Sequence, residues 1–238
     1  MCTVTYIPLK NSDFILTSSR DVPFARKSAE APQMHKEDGI EIYYPKDGKA
    51  GGTWIGTSSK NRLICLLNGG FIYHTSRSSY KKSRGIIVKD LLKADHIHKA
   101  LQEINLEGVE QFTLTIVDWN SSLELIEFVW DGKNKHSKTL AQEMHIWSSS
   151  TLYDESSKQL RKHWFSDWQK ENKPIQEKIL EFHHHAGIGD PHIDVVMDRK
   201  TVGTVSITSI KKEGNLILWN YEDVIAKQTF QTLINTNQ

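Results

Sequence analysis

Cys2 is the residue whose type and position are best suited to attack a carbonyl. It follows Met1 directly, and a Met before a small side chain is normally removed, which would make Cys2 the terminal residue. A terminal cysteine carries its own base. Its α-amine has an ordinary pKa of about 8 and its thiol of about 8.5, so the amine takes the thiol proton near neutral pH. Such a residue attacks an amide or ester carbon without a His–Asp relay. The same position also suits a small buried hydrophobe at the start of a strand. The second constellation is Ser19-Arg20-Asp21. In a hairpin that starts at Cys2 and returns near Arg20, Asp21 would hold the Cys2 amine. Arg20 would depress the thiol pKa or bind a substrate carboxylate. Neighbours on a regular strand point to opposite faces, so both reach Cys2 only if the strand ends there. The alternative is an exposed ion pair beside Arg26, worth little energetically.

A competing cluster is rich in histidine. His183, His184 and His185 precede Asp190, His192 and Asp194, and imidazole with carboxylate can bind zinc. The spacing matches no helical zinc motif, so a polar helix end and loop is expected and no metal is assigned. Arg84 closes the basic run Lys81-Lys82-Ser83-Arg84, which suits either a substrate anion or a solvated loop. Trp54 suits a pocket wall or a core position. Asn68 precedes Gly69-Gly70, as a turn residue would. Cys65 lies in the apolar run Ile64-Cys65-Leu66-Leu67 and reads as buried. Gly51-Gly52 precedes a strand rather than opening a helix, so the dinucleotide fingerprint is absent and no cofactor is expected.

The elements that must position these groups come mostly in strand pairs. Thr3–Ile7 and Phe14–Thr17 read as a hairpin between Cys2 and about Ser19. Residues 21–49 mix Pro, Gly and charge and read mostly as loop. Thr53–Thr57 and Arg62–Leu67 form a second pair, and Phe112–Trp119 with Leu123–Trp130 a third. Met144–Trp147, Val195–Met197, Val202–Ile210 and Leu216–Trp219 are further strands. One helix is predicted over Val88–Ile104. A second carries Leu160, Trp164 and Trp168 on one face, and Pro174 separates it from a third with Ile175, Ile179 and Phe182. Paired strands favour antiparallel sheets with helices packed outside over a doubly wound parallel sheet.

The chain has 238 residues, with 30 Lys plus Arg against 29 Asp plus Glu. Near-neutral charge removes the electrostatic case for a nucleic-acid partner. No apolar stretch is long enough to span a bilayer, and no signal peptide is apparent. Two cysteines exclude a disulfide framework, and a reducing, cytoplasmic setting is expected. No repeat or linker divides the chain, so a single domain over 1–238 is expected. Oligomeric state is not legible.

Several motifs occur in an order that resembles a known family. They are Cys2-Thr3, Ser19-Arg20-Asp21, Gly51-Gly52-Thr53-Trp54-Ile55-Gly56, Leu66-Leu67-Asn68, Ser83-Arg84-Gly85, Trp147 to Tyr153, and Gly203-Thr204-Val205-Ser206. Together they resemble the NRDE family, whose animal members are called transport and Golgi organisation protein 2. That family is similar to the cysteine N-terminal-nucleophile (Ntn) hydrolases. The resemblance implies an α+β fold, a four-layer αββα sandwich of two stacked antiparallel sheets. It also implies that Cys2 is nucleophile and base, that Asp21 orients its amine, that Arg20 sits beside the thiol, and that Asn68 and Ser149 lie at the oxyanion. Trp54 and Arg84 would contact substrate. The implied reaction is hydrolysis of an amide or thioester of a small acyl substrate. The alternative is a non-enzymatic carrier of haem, acyl-CoA or another lipid-like ligand on the same fold, with Cys2 as a haem ligand and Trp147, Trp164 and Trp168 lining the pocket. A third reading is an interaction module that has lost activity.

Overall fold

The computed structural model describes residues 3–236, so Cys2 lies outside the described residues. The chain forms two compact units. The first joins residues up to Arg26 with those from Glu143 onward, and the second is Lys27–Gln142.

The first unit contains β1 (Thr3–Pro8) and β2 (Phe14–Pro23), and later β10 (His145–Ser148), β11 (Val202–Glu213), β12 (Leu216–Asp223) and β13 (Gln228–Asn235). They make one antiparallel sheet in the order β10-β1-β2-β11-β12-β13. Helices α3 (Glu155–Glu171) and α4 (Gln176–His185) belong to the same unit. Ile7 and Ile15 share one sheet face and pack with Phe165, Trp168, Ile179, Phe182 and Val195. Alternation along each strand therefore assigns Thr3, Thr5, Thr17 and Ser19 to that same face.

The second unit is a meander. Strands β3 (Glu30–Glu37), β4 (Ile40–Lys46), β5 (Ile55–Ser58), β6 (Arg62–Asn68), β7 (Phe112–Asp118), β8 (Glu124–Trp130) and β9 (Lys135–Leu140) follow one another in space as in sequence. Helices α1 (Arg84–Lys93) and α2 (Ile97–Glu103) lie between β6 and β7 in sequence. Two antiparallel sheets accompanied by helices are the α+β organisation that the strand pairing implied. Among the described residues, no helix is long and apolar enough to cross a membrane.

Four local readings need correction. Residues 21–49 are not mostly loop, because β3 and β4 lie there. β3 is a polar outer strand, and Pro32 sits where its register shifts between Glu30 and Gln33, so neither hydrophobic alternation nor an unbroken ladder marks it. The helix expected over 88–104 is two helices. Arg62 explains the break: its Nη1 donates to the carbonyls of Leu91 at 2.8 Å and Ala94 at 2.7 Å, and Ser58 Oγ takes that of Leu92 at 2.7 Å. Those are the carbonyls that a helix end leaves without partners. In α3 the buried stripe is Ser157, Arg161, Phe165 and Trp168, while Leu160 is 38% exposed. The face is turned because Phe165, stacked on Trp168 and edge-on to Phe182, occupies the core. Val195–Met197 is loop rather than strand, with Val195 N–H donating to Ala186 O and Met197 N–H to Thr204 Oγ1. β9 and β13 were not foreseen.

Candidate active site

One group of buried polar residues in the first unit gathers where β1 begins. Thr3 is fully buried and lies between Ser19 of β2 and Ser148 of β10. β2 does not stop at Arg20 or Asp21 but runs on to Pro23, so these two neighbours face opposite sides of the sheet. A bulge in β11 between Thr204 and Ser206 adapts to this. It places Thr204 opposite Asp21 and Ser206 opposite Arg20.

Asp21 is buried and its carboxylate is gripped from two sides. The Tyr153 hydroxyl donates to Oδ2 at 2.9 Å, and Thr204 Oγ1 donates to Oδ1 at 2.6 Å. The Tyr153 ring lies under the Arg161 guanidinium, 3.6 Å from its centroid. Arg161 is itself fully buried. It donates to Thr3 Oγ1, to the Ile193 carbonyl at 3.1 and 3.0 Å, and to the Asp194 carbonyl at 2.6 Å. Its described partners are all neutral. A guanidinium suits this role, because its fixed fork of donors can tie several acceptors at once.

His183 closes the cluster. It is fully buried, with Nε2 2.9 Å from Thr5 Oγ1 and Nδ1 2.8 Å from Ser19 Oγ, so it laces β1 to β2. Burial pushes its pKa from 6.5 down to about 3, with the charges of His184 and Arg161 acting in the same direction. The ring is therefore neutral at physiological pH, with one nitrogen donating and the other accepting.

Arg20 is buried on the other face. Its charge is felt by Tyr221, whose pKa is raised chiefly by burial and, less, by Asp223, while Ser206 and Arg20 pull it down. Ser149, also buried, follows β10. Its Oγ lies 3.0 Å from Thr151 Oγ1, and its carbonyl accepts from the Leu152 and Tyr153 N–H groups in a turn that delivers Tyr153 to Asp21.

The other expected site residues belong to the second unit. Asn68 is the last residue of β6, half-buried and opposite Phe112. Arg84 opens α1, with its guanidinium on Glu110 at 3.0 Å and on the Gln111 carbonyl at 3.1 Å. Trp54 is buried just before β5. The two glycine motifs meet here. A Cβ on Gly52 would lie 2.5 Å from the Gly85 carbonyl carbon, and Thr53 N–H donates to Gly85 O at 3.2 Å. Gly-Gly-Thr-Trp and Ser-Arg-Gly are thus a backbone-to-backbone dock for the start of α1.

The histidine cluster disperses. His183 is the sheet lace just described, and His184 pairs with Glu222 at 2.9 Å. Asp194 accepts from the Ile188 and Gly189 N–H groups, and Asp190 accepts from His192 N–H. No group of three or more such side chains able to hold a metal occurs among the described residues. Tyr153 and Thr204 were present in the motifs but had no assigned role, and Arg161 carried no signal beyond its spacing with Ser157 and Phe165.

Solved structures share this fold at low identity. Penicillin V acylase from Agrobacterium tumefaciens matches with TM-score 0.53 and 12% identity, over 97% of this chain and 85% of that one. The N-acylethanolamine-hydrolyzing acid amidase orthologue of Caenorhabditis elegans gives 0.60 and 12%, over 88% and 92%. A mutant conjugated bile acid hydrolase from Clostridium perfringens gives 0.55 and 10%, over 100% and 93%. These likenesses establish an Ntn-hydrolase-like fold. No curated protein sequence matches the chain. The profile of one family matches residues 1–211, well over half the chain, and the chain therefore belongs to the Transport and Golgi organisation 2 family.

Proposed function

We propose that the chain is an amidohydrolase-like enzyme in which Cys2, freed by removal of Met1, attacks an amide or thioester carbon of a small acyl substrate. The observation that carries this reading is the position of Thr3. It is a buried residue of an internal strand, bonded by Arg161 and flanked on both sides, and Cys2 is one peptide link away. Asp21, with its carboxylate aimed by Tyr153 and Thr204, is the group suited to hold the Cys2 ammonium or amine. The amine takes the thiol proton, and the thiolate adds to the carbonyl carbon. The oxyanion is stabilised at Ser149 or a neighbouring backbone N–H. The tetrahedral adduct collapses, the C–N bond of an amide or the C–S bond of a thioester breaks, and the leaving amine or thiolate takes the proton, giving a thioester on Cys2. Water, deprotonated by the α-amine, releases the acid and restores the thiol. The fold shared with acyl amidases supports the reaction class and leaves the acyl group open.

The test is intact mass spectrometry before and after treatment with chloroacetamide, with the modified residue mapped. Cys65 is fully buried, so the folded chain offers an internal control. Loss of Met1 and rapid labelling of Cys2 over Cys65 are expected. A retained Met1, or a Cys2 no faster than a free cysteine, overturns the proposal.

A further inference from the structure

We propose that the loop between β6 and α1 docks the chain on an anionic lipid surface, with Phe71, Ile72 and Tyr73 entering the bilayer interface and the neighbouring cations meeting lipid phosphates. The connection, residues 69–83, holds no carboxylate and carries Arg77, Lys81 and Lys82. A connection longer than about 12 residues with no regular structure of its own is uncommon and usually functional. This one is tied down at several points. Ser76 Oγ donates to Glu110 at 2.5 Å, Lys81 N–H donates to the Gly108 carbonyl at 2.9 Å, and Lys82 bridges to Val109. Phe71 packs edge-on against His136 of β9, with centroids 4.9 Å apart. The tip is still left outside. Phe71 is 53%, Ile72 75% and Tyr73 68% exposed, and no other three consecutive large hydrophobic residues are exposed among the described residues. Exposed apolar side chains scattered singly are ordinary, whereas a contiguous set marks an interaction site.

The charges beside the tip select the occupant. A cleft of about 640 Å³ in the same unit is lined by Arg77 from the loop and by Lys133 and Lys135. β9, against which Phe71 packs, also carries Lys138. The nearby carboxylates are already engaged by other side chains. Glu107 pairs with Lys81 at 2.7 Å, Glu103 with Lys99 at 3.9 Å, and Asp131 with His136 at 2.7 Å. Arg77, Lys133, Lys135 and Lys138 therefore remain as an excess of positive charge next to an apolar tip. An anionic bilayer presents the complement, hydrocarbon beneath a layer of phosphates. Ile72 supplies an aliphatic anchor, and the rings of Phe71 and Tyr73 suit the headgroup boundary, where a tyrosine hydroxyl stays wet. Lys and Arg close to an anionic leaflet add attraction that falls off within a Debye length. Stable surface binding needs two signals, one apolar and one electrostatic, and this loop with its flank supplies both.

The experiment is flotation of the full chain with vesicles of phosphatidylcholine alone and of phosphatidylcholine mixed with phosphatidylglycerol, at low and at high salt. Binding to the mixed vesicles at low salt is expected, weaker by about tenfold or more on phosphatidylcholine alone and in high salt. Ile72→Asp and Arg77→Glu are each expected to weaken binding to the mixed vesicles by about tenfold or more. Ile225→Asp, on a side chain 61% exposed in the turn between β12 and β13, is expected to leave it unchanged. Tyr73→Asp serves as a second tip variant should the first lose its native circular dichroism. The readout is binding alone, so the chemistry of Cys2 does not enter it. No flotation with the mixed vesicles overturns the proposal. So does flotation that neither the tip variant nor Arg77→Glu weakens, or equal binding to both vesicle compositions.

Discussion

His183 makes the stability of the chain depend on pH in a way that one substitution can isolate. Its ring is fully buried between Thr5 and Ser19, and its pKa is lowered from 6.5 to about 3. The unfolded chain therefore binds a proton below about pH 6.5 that the folded chain refuses until about pH 3. The unfolded state gains where it binds more protons, so this residue leaves stability undiminished above about 6.5 and erodes it as pH falls through the window. One proton corresponds to about 1.4 kcal/mol per pH unit. Near pH 5 the loss is about 2 kcal/mol, and at the lower end of the window it approaches about 5 kcal/mol. The assay is urea unfolding of the parent and of His183→Gln between about pH 7.5 and pH 4.5. Gln keeps a donor and an acceptor but does not titrate, and the other histidines and the carboxylates act equally in both proteins. The parent should lose stability more steeply than the variant, by close to one proton in the acid limb. Parallel pH profiles would refute the reasoning, even if the variant is less stable throughout.

Three further expectations can be checked together. Arg161→Met strips donors from Thr3 Oγ1 and from the carbonyls of Ile193 and Asp194; three orphaned acceptors at about 1 kcal/mol each give about 3 kcal/mol, or roughly 6–12 °C in Tm by calorimetry. Tyr153→Phe removes one bond to the Asp21 carboxylate, costing about 2 kcal/mol in urea unfolding and slowing chloroacetamide labelling of Cys2 relative to free cysteine. Arg62→Met leaves Asp118 unpaired and uncovers the α1 carbonyls, and a loss of about 3–5 kcal/mol in the denaturant midpoint is expected.

The strands that bury one or both faces were legible because alternation marks them. Phe112 to Trp130 is the clear case, with apolar residues recurring along a pair joined by a short loop. β3 and β13 were not legible, since each is an outer strand whose partner, not its own hydrophobicity, makes it a strand. The stripe on α3 was misread because Arg161 looks like a surface residue until three carbonyl and hydroxyl acceptors are found around it. The same blindness hid the centre of the candidate site. Arg20 and Asp21 could be named from chain position, but Tyr153, Thr204 and His183 act through contacts 132 to 183 residues apart in sequence. No local period encodes such a distance.

The order of the strands also fixes an order of assembly during synthesis. Every strand of the second unit pairs with its neighbours in sequence, so that segment can complete its ladder as it leaves the ribosome. β1 and β2 emerge first yet need β10 and β11, which lie beyond residue 144. The hairpin that carries Arg20 and Asp21 must therefore wait, with both of its flanks open, until β10 and β11 have been made. A nascent chain stalled before β11 would hold a finished meander and an unfinished first sheet, and only the synthesis of β11 would close it.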